Sequence, residues 1–157
     1  MGSLSKMSYA TGSFAKGETR ATLFSVLATT IKMFSDTGIA NLTSHTDFEL
    51  NSIGKEKTVV FLIIPDEKES RHELASLFID QCYQALVNSA QSYSDGKMPI
   101  RVNFILDEFA NMPPITSISN KITVSRSRNI RFYLVLQDFD QLKETYKDSA
   151  GTIKSNC

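Results

Sequence analysis

The stretch Val102-Asn103-Phe104-Ile105-Leu106-Asp107-Glu108 decides how the rest of the chain is read. It is a mostly apolar run, led in by Pro99 and closed by two adjacent acids. Apolar runs without regular polar alternation mark strands buried on both faces, the habit of parallel sheets. Two other runs repeat the pattern. Thr58 to Ile64 comes before it and stops at Pro65-Asp66, while Arg131 to Leu136 comes after it and stops at Gln137-Asp138.

The segments between these runs carry helical spacing. Residues from about Arg71 to Tyr93 place Leu74, Leu77, Phe78, Cys82, Ala85 and Leu86 on one broad face, and Asp95-Gly96 then turns the chain. The stretch Thr116 to Arg128 is rich in Ile, Thr, Val and Ser, which argues against a helix. A crossover between parallel strands nonetheless requires one, so a helix is expected there. Another is expected from Phe139 to Tyr146, with Asp138 as its cap. Upstream, residues 19 to 34 form an amphipathic helix through Leu23, Leu27, Ile31 and Phe34, Gly38 is a stop, and residues 39 to 57 read as a polar connector.

The expected organisation is therefore a helix and connector over 1–57, followed by an α/β domain over 58–157. The order β-α-β-α-β-α implies three layers, a parallel sheet with helices on both faces. Ligands of such sheets bind beyond the carboxyl ends of the strands. Three places qualify: Pro65-Asp66, Asp107-Glu108 and Gln137-Asp138.

Composition narrows the class. At 157 residues, 41% hydrophobic and 22% charged, the chain is of ordinary globular make-up and can bury one core. Seventeen basic residues balance seventeen acidic ones, so net charge gives no reason to expect autonomous nucleic-acid or membrane-surface binding. The longest apolar run, Val59 to Ile64, is too short for a bilayer, and a soluble chain is expected. Cys82 and Cys157 form neither a disulfide framework nor a zinc cluster, which suits a reducing cytosol.

Phosphoryl transfer from ATP needs one carboxylate beside hydrated magnesium and a second acceptor that orients or deprotonates the attacking water. Adjacent acids at a strand end, Asp107 and Glu108, can divide that work, although periodicity alone favours a solvated acidic turn over it. Gln137 ends the following run, and an amide there can donate to a phosphate oxygen and accept from water. Ser125-Arg126-Ser127-Arg128 offers guanidinium groups suited to charge developing on a phosphoryl group, or simply a basic helix end favoured by the dipole. Gly12-Ser13-Phe14-Ala15-Lys16-Gly17-Glu18-Thr19 has phosphate-loop spacing, but Glu18 replaces the phosphate-binding lysine and no strand precedes it. It is rejected as a phosphate cradle. His45 and His72 lack partners at metal-ligand spacing.

The run from Val102 to Glu108 and on through Phe109-Ala110-Asn111 resembles the Walker B segment of TraG/TraD-type coupling proteins of type IV secretion and conjugation. Ser44-His45-Thr46-Asp47-Phe48-Glu49-Leu50, Val59 to Asp66, Ser125 to Ile130, Leu134-Val135-Leu136-Gln137, Gln141-Leu142, Tyr146 and Thr152 to Cys157 follow in that family's order. The resemblance spans nearly the whole chain. It implies a fragment of a RecA-like P-loop ATPase domain, using ATP and Mg2+ in a hexameric protein at the cytoplasmic face of the membrane. Such a protein recruits relaxase-bound DNA or protein substrates to the secretion channel. Asp107 would serve magnesium through water, Glu108 would be the catalytic carboxylate, Gln137 the nucleotide sensor and Arg126 a finger acting across a subunit boundary. The family's phosphate loop, membrane anchor and DNA-engaging helical insertion are expected before residue 1 and its closing strands after Cys157. The segment is thus expected to be inactive alone.

Two other readings compete. A signalling receiver domain would phosphorylate Asp107, but Gln137 stands where a hydroxyl residue belongs and no strand ends in lysine. A non-catalytic docking module for protein or DNA would show salt-sensitive DNA binding by the segment itself.

Overall fold

A computed structural model describes residues 17–65 and 69–157. Asp66 and most of the Gly12 to Thr19 segment therefore lie outside the described residues. The chain divides into two compact units, Met1–Asp47 and Phe48–Cys157.

The first unit contains α1 (Glu18–Ile31), which runs on as a 3-10 turn to Ser35. Glu18 sits in the first turn, where its charge suits the helix dipole. Leu23, Leu27, Ile31 and Phe34 do lie on helical turns, yet each is exposed. The expected stop at Gly38 and irregular connector give way to a second helix, α2 (Thr37–Thr43). Its cause is Asp36, whose Oδ1 accepts from the amides of Gly38 at 2.9 Å and Ile39 at 3.1 Å. An Asp cap of this kind starts a helix and tolerates Gly38 in its first turn.

The second unit holds one hydrophobic core. Its longest element, α3 (Glu69–Ala90), buries Ala75, Ile79, Cys82, Tyr83, Leu86 and Ala90. This stripe is rotated from the expected one: Cys82 and Leu86 belong to it, while Leu77 is exposed. After the 93–101 turn come β1 (Val102–Leu106), α4 (Ile118–Ser125), β2 (Ile130–Leu134), α5 (Phe139–Tyr146) and α6 (Ala150–Asn156). The strands pair in parallel, from Val102 opposite Ile130 to Leu106 opposite Leu134. The crossover segment does form a helix, shorter than expected, because the parallel pairing overrides its propensity. Asp138 caps α5 by accepting from Asp140 N at 2.9 Å.

Phe104 and Phe132 stack across the pair with centroids 4.8 Å apart, and Tyr83 of α3 leans on Phe132 at 5.9 Å. On α4 the buried Lys121 pairs with Asp80 of α3 at 2.6 Å and donates to Thr116 O, while Tyr83 Oη donates to Lys121 O at 3.3 Å. A buried cation is tolerated only with such partners, so these bonds fasten α4 to α3. The turn before β1 closes on Gly54, whose carbonyl accepts from Ile100 N at 3.0 Å. Gly54 has φ +78, and a Cβ there would meet Met98 and Val102 side chains at 2.8 Å.

Two expectations are corrected. Thr58 to Ile64 pairs with no strand among the described residues, and Val59, Phe61 and Ile63 are 76%, 84% and 87% exposed. An apolar run records the surroundings a segment is suited to; it does not supply the neighbours that create them. The sheet is also covered on one side only among the described residues. Val102, Phe104, Leu106, Ile130, Phe132 and Leu134 face the core, whereas Ile105 and Tyr133 on the other side are 72% and 48% exposed. The unit is α/β with a parallel sheet, two-layered rather than three-layered in the described residues.

The exposed run and the core make opposite predictions. Phe61→Asp should change unfolding free energy by less than about 0.5 kcal/mol, whereas Leu86→Ala should cost about 2–5 kcal/mol. Urea denaturation of both variants decides it; a Phe61→Asp loss as large as that of Leu86→Ala would show the run to be buried. Burial also pushes the Cys82 thiol from 9.0 up to about 11. The unfolded chain releases this proton first, so the stabilisation is full below pH 9 and is lost as pH rises towards 11. Tyr83 and Tyr146, also raised by burial, extend the loss above pH 10. Urea midpoints measured from pH 8 to 11 should fall, and Cys82→Ala should flatten the portion between 9 and 11.

Candidate active site at the carboxyl end of the sheet

The backbone pairing continues past the formal ends of the strands. Val135 N donates to Leu106 O at 3.0 Å, and Phe109 N donates to Val135 O at 3.1 Å. This extension brings the turn Asp107-Glu108 alongside Leu136-Gln137. Asp107 Oδ1 accepts from Glu108 N at 3.0 Å. Glu108 itself has φ 48, ψ 38, in the left-handed region that non-glycine residues enter at a penalty of about 1 kcal/mol or more.

Glu108 is held on both carboxylate oxygens. Gln137 Nε2 lies 3.4 Å from Oε1, and Asn111 Nδ2 lies 3.3 Å from Oε2. Asn111 reaches it because a 3-10 turn spans Phe109–Asn111, closed by Asn111 N donating to Glu108 O at 2.8 Å. The turn is anchored from below. Phe109 is fully buried and stacks on Tyr146 of α5 at 5.0 Å with the rings 7° from parallel. Thr145 Oγ1 donates to Ala110 O at 3.1 Å, Ser76 Oγ donates to Pro113 O at 2.9 Å, and Tyr146 Oη accepts from Ile115 N at 3.3 Å. Backbone strain of this kind is enriched at functional sites, and Ser117, Asn129 and Lys147 carry it elsewhere in the chain.

Glu108 and Gln137, singled out in sequence, thus meet, and the Asp107 carboxylate bonds the Glu108 backbone beside them. Arg126 does not join them. It lies exposed in the 3-10 turn Arg126–Arg128 before β2, at the amino end of the sheet. A five-residue strand, about 16 Å long, separates it from Glu108. The contact that sequence reasoning passed over is Asn111. Its signal was an amide three residues after the acid, visible only once the intervening residues are known to turn.

No cluster of three His, Cys, Asp or Glu able to hold a metal occurs among the described residues. Two neighbouring carboxylates suit magnesium all the same, since that ion keeps several waters and takes one or two carboxylates together with substrate phosphates. Asp107 and Glu108 are exposed and line neither of the two hollows nearest the α4 helix. No helix among the described residues is long and apolar enough to cross a membrane.

Comparison with known proteins identifies the family. The profile of the family described as "Type IV secretory system Conjugative DNA transfer" matches residues 3–156. Protein VirD4 of Rhizobium radiobacter is 29% identical over 121 residues, which cover 76% of this chain and 17% of that protein. Conjugal transfer protein TraG of Escherichia coli is 26% identical over 146 residues, covering 85% of this chain and 23% of that protein. VirD4 of Rhizobium rhizogenes is 27% identical over 122 residues, 77% of this chain and 18% of its own length. The chain therefore spans about a fifth of the relatives it matches, and no solved structure matches it significantly. With a profile match over almost its full length, the chain belongs to the type IV secretory system conjugative DNA transfer family.

Proposed function

We propose that this chain is the acidic half of the ATP-hydrolysing domain of a conjugative coupling protein, with a RecA-like core completed by residues outside it. The observation that carries the reading is the Glu108 carboxylate, held between Gln137 and Asn111 at the carboxyl end of a parallel sheet. Family membership supports it, and so does the order of the acidic pair and the glutamine on consecutive strands.

In this reading Glu108 accepts a hydrogen bond, and then the proton, from the water that attacks the γ-phosphate. Asp107 would hold hydrated Mg2+, which would supply charge to offset that on the phosphates. Gln137 Nε2 bonds to Glu108 Oε1 and can donate instead to a phosphate oxygen, while its carbonyl oxygen can accept from the water, so it links nucleotide to the carboxylate. Arg126 lies a strand's length from this chain's own acids, so its finger role is assigned to the site of a neighbouring subunit, which makes a homo-oligomer, the expected hexamer, part of the proposal. The reading requires a phosphate-binding loop from residues other than these. Hydrolysis then drives the recruitment or movement of relaxase-bound DNA, or protein substrates, at the membrane-embedded channel.

Two variants of the complete protein test this. Glu108→Gln should reduce ATP hydrolysis by at least about a hundredfold while binding of a fluorescent ATP analogue stays within a few fold; turnover at the wild-type rate would sink the assignment. Arg126→Ala should lower hydrolysis in assembled oligomers and leave the rate of dissociated subunits unchanged. An equal loss in both forms, measured on fractions separated by size, would remove the finger role.

A further inference from the structure

We infer that Asn111 is a positioning residue for Glu108, holding the carboxylate so that one oxygen is presented to the attacking water. The inference rests on the proposed function of the same site, and it concerns a residue to which that reading gives no step of the hydrolysis. Three observations carry it. Glu108 stands on a left-handed backbone that turns its side chain back over the 109–111 turn, and its two oxygens are met by two different amides. One amide comes from the next strand, through Gln137, and moves with whatever that residue binds. The other, Asn111, belongs to the same turn as the acid, so its hold does not depend on the state of β2.

Asn111 also stands on the more firmly seated side. Phe109 two positions before it is fully buried against Tyr146, Ala110 O accepts from Thr145, and Met112 next to it is buried. Asn111 itself is exposed, with its side-chain amide spent on Glu108. An exposed residue on a rigid seat adds little to the core, and its side-chain amide bonds to the acid. When Gln137 Nε2 leaves Oε1 for a phosphate oxygen, that oxygen of Glu108 becomes free for water while Asn111 still fixes Oε2. The carboxylate is thereby released at one atom without being released as a group. An amide suits this task, because it donates to the ionised acid and brings no charge that would compete with magnesium for it.

The test uses the complete protein. Asn111→Asp keeps the size but sets a second carboxylate against Glu108, and Asn111→Ala removes the donor. Both should lower kcat by about tenfold or more, the order expected when a reacting group is misplaced. The Kd for ATP should stay within about twofold, since neither side chain contacts the nucleotide in this scheme. Asn111→Gln, which keeps a donor on a longer stem, should recover part of the loss. Unchanged kcat in both Asn111→Asp and Asn111→Ala, with Glu108→Gln inactive, would overturn the positioning role and leave the proposed function standing. A kcat loss matched by an equal loss of ATP affinity would overturn it too. Wild-type turnover by Glu108→Gln would instead remove the proposed function itself, and the positioning role with it.

Discussion

Two backbone hydrogen bonds, Val135 N to Leu106 O and Phe109 N to Val135 O, carry the parallel pairing of β1 and β2 beyond the last residues of either strand. Everything at the carboxyl end of the sheet is located by them. They set the turn after β1 beside the residues after β2, they hold Phe109 where its ring can stack on Tyr146, and they bring an amide from one strand to an acid from the other. Parallel strands make such a junction possible because their equivalent ends lie side by side. In an antiparallel pair the end of one strand would face the start of its neighbour.

That junction rests on a core assembled from one side. The inner face of the sheet, α3, α4, α5 and α6 share a single cluster of buried residues, with Leu86, Phe109, Ile118, Ile130, Leu142 and Ile153 almost wholly enclosed. The Lys121–Asp80 pair ties the crossover helix to α3, and the turn bearing the acids hangs from Phe109 and the Thr145 and Ser76 hydroxyls.

Much of this was legible in the sequence, for identifiable reasons. The two strands that pair announced themselves because apolar runs ended in turn residues, and α5 because Asp138 stands at a cap position. The crossover helix was reached by topology against its own propensity. The meeting of Glu108 and Gln137, with Asp107 beside them, followed from the rule about strand ends. Three features were not legible. The Asp36 cap was outweighed by the nearby Gly38. The run Val59 to Ile63 has the composition of a buried strand, yet no described residue covers it. Asn111 is one asparagine among many until a turn folds it back on the acid.

The left-handed backbone at Glu108 has a consequence for engineering. Glycine or asparagine adopts φ 48 with less strain than glutamate does. A campaign that ranked variants of this chain by thermal stability alone would therefore be drawn to position 108, and its best-scoring proteins would be the ones that had discarded the acid.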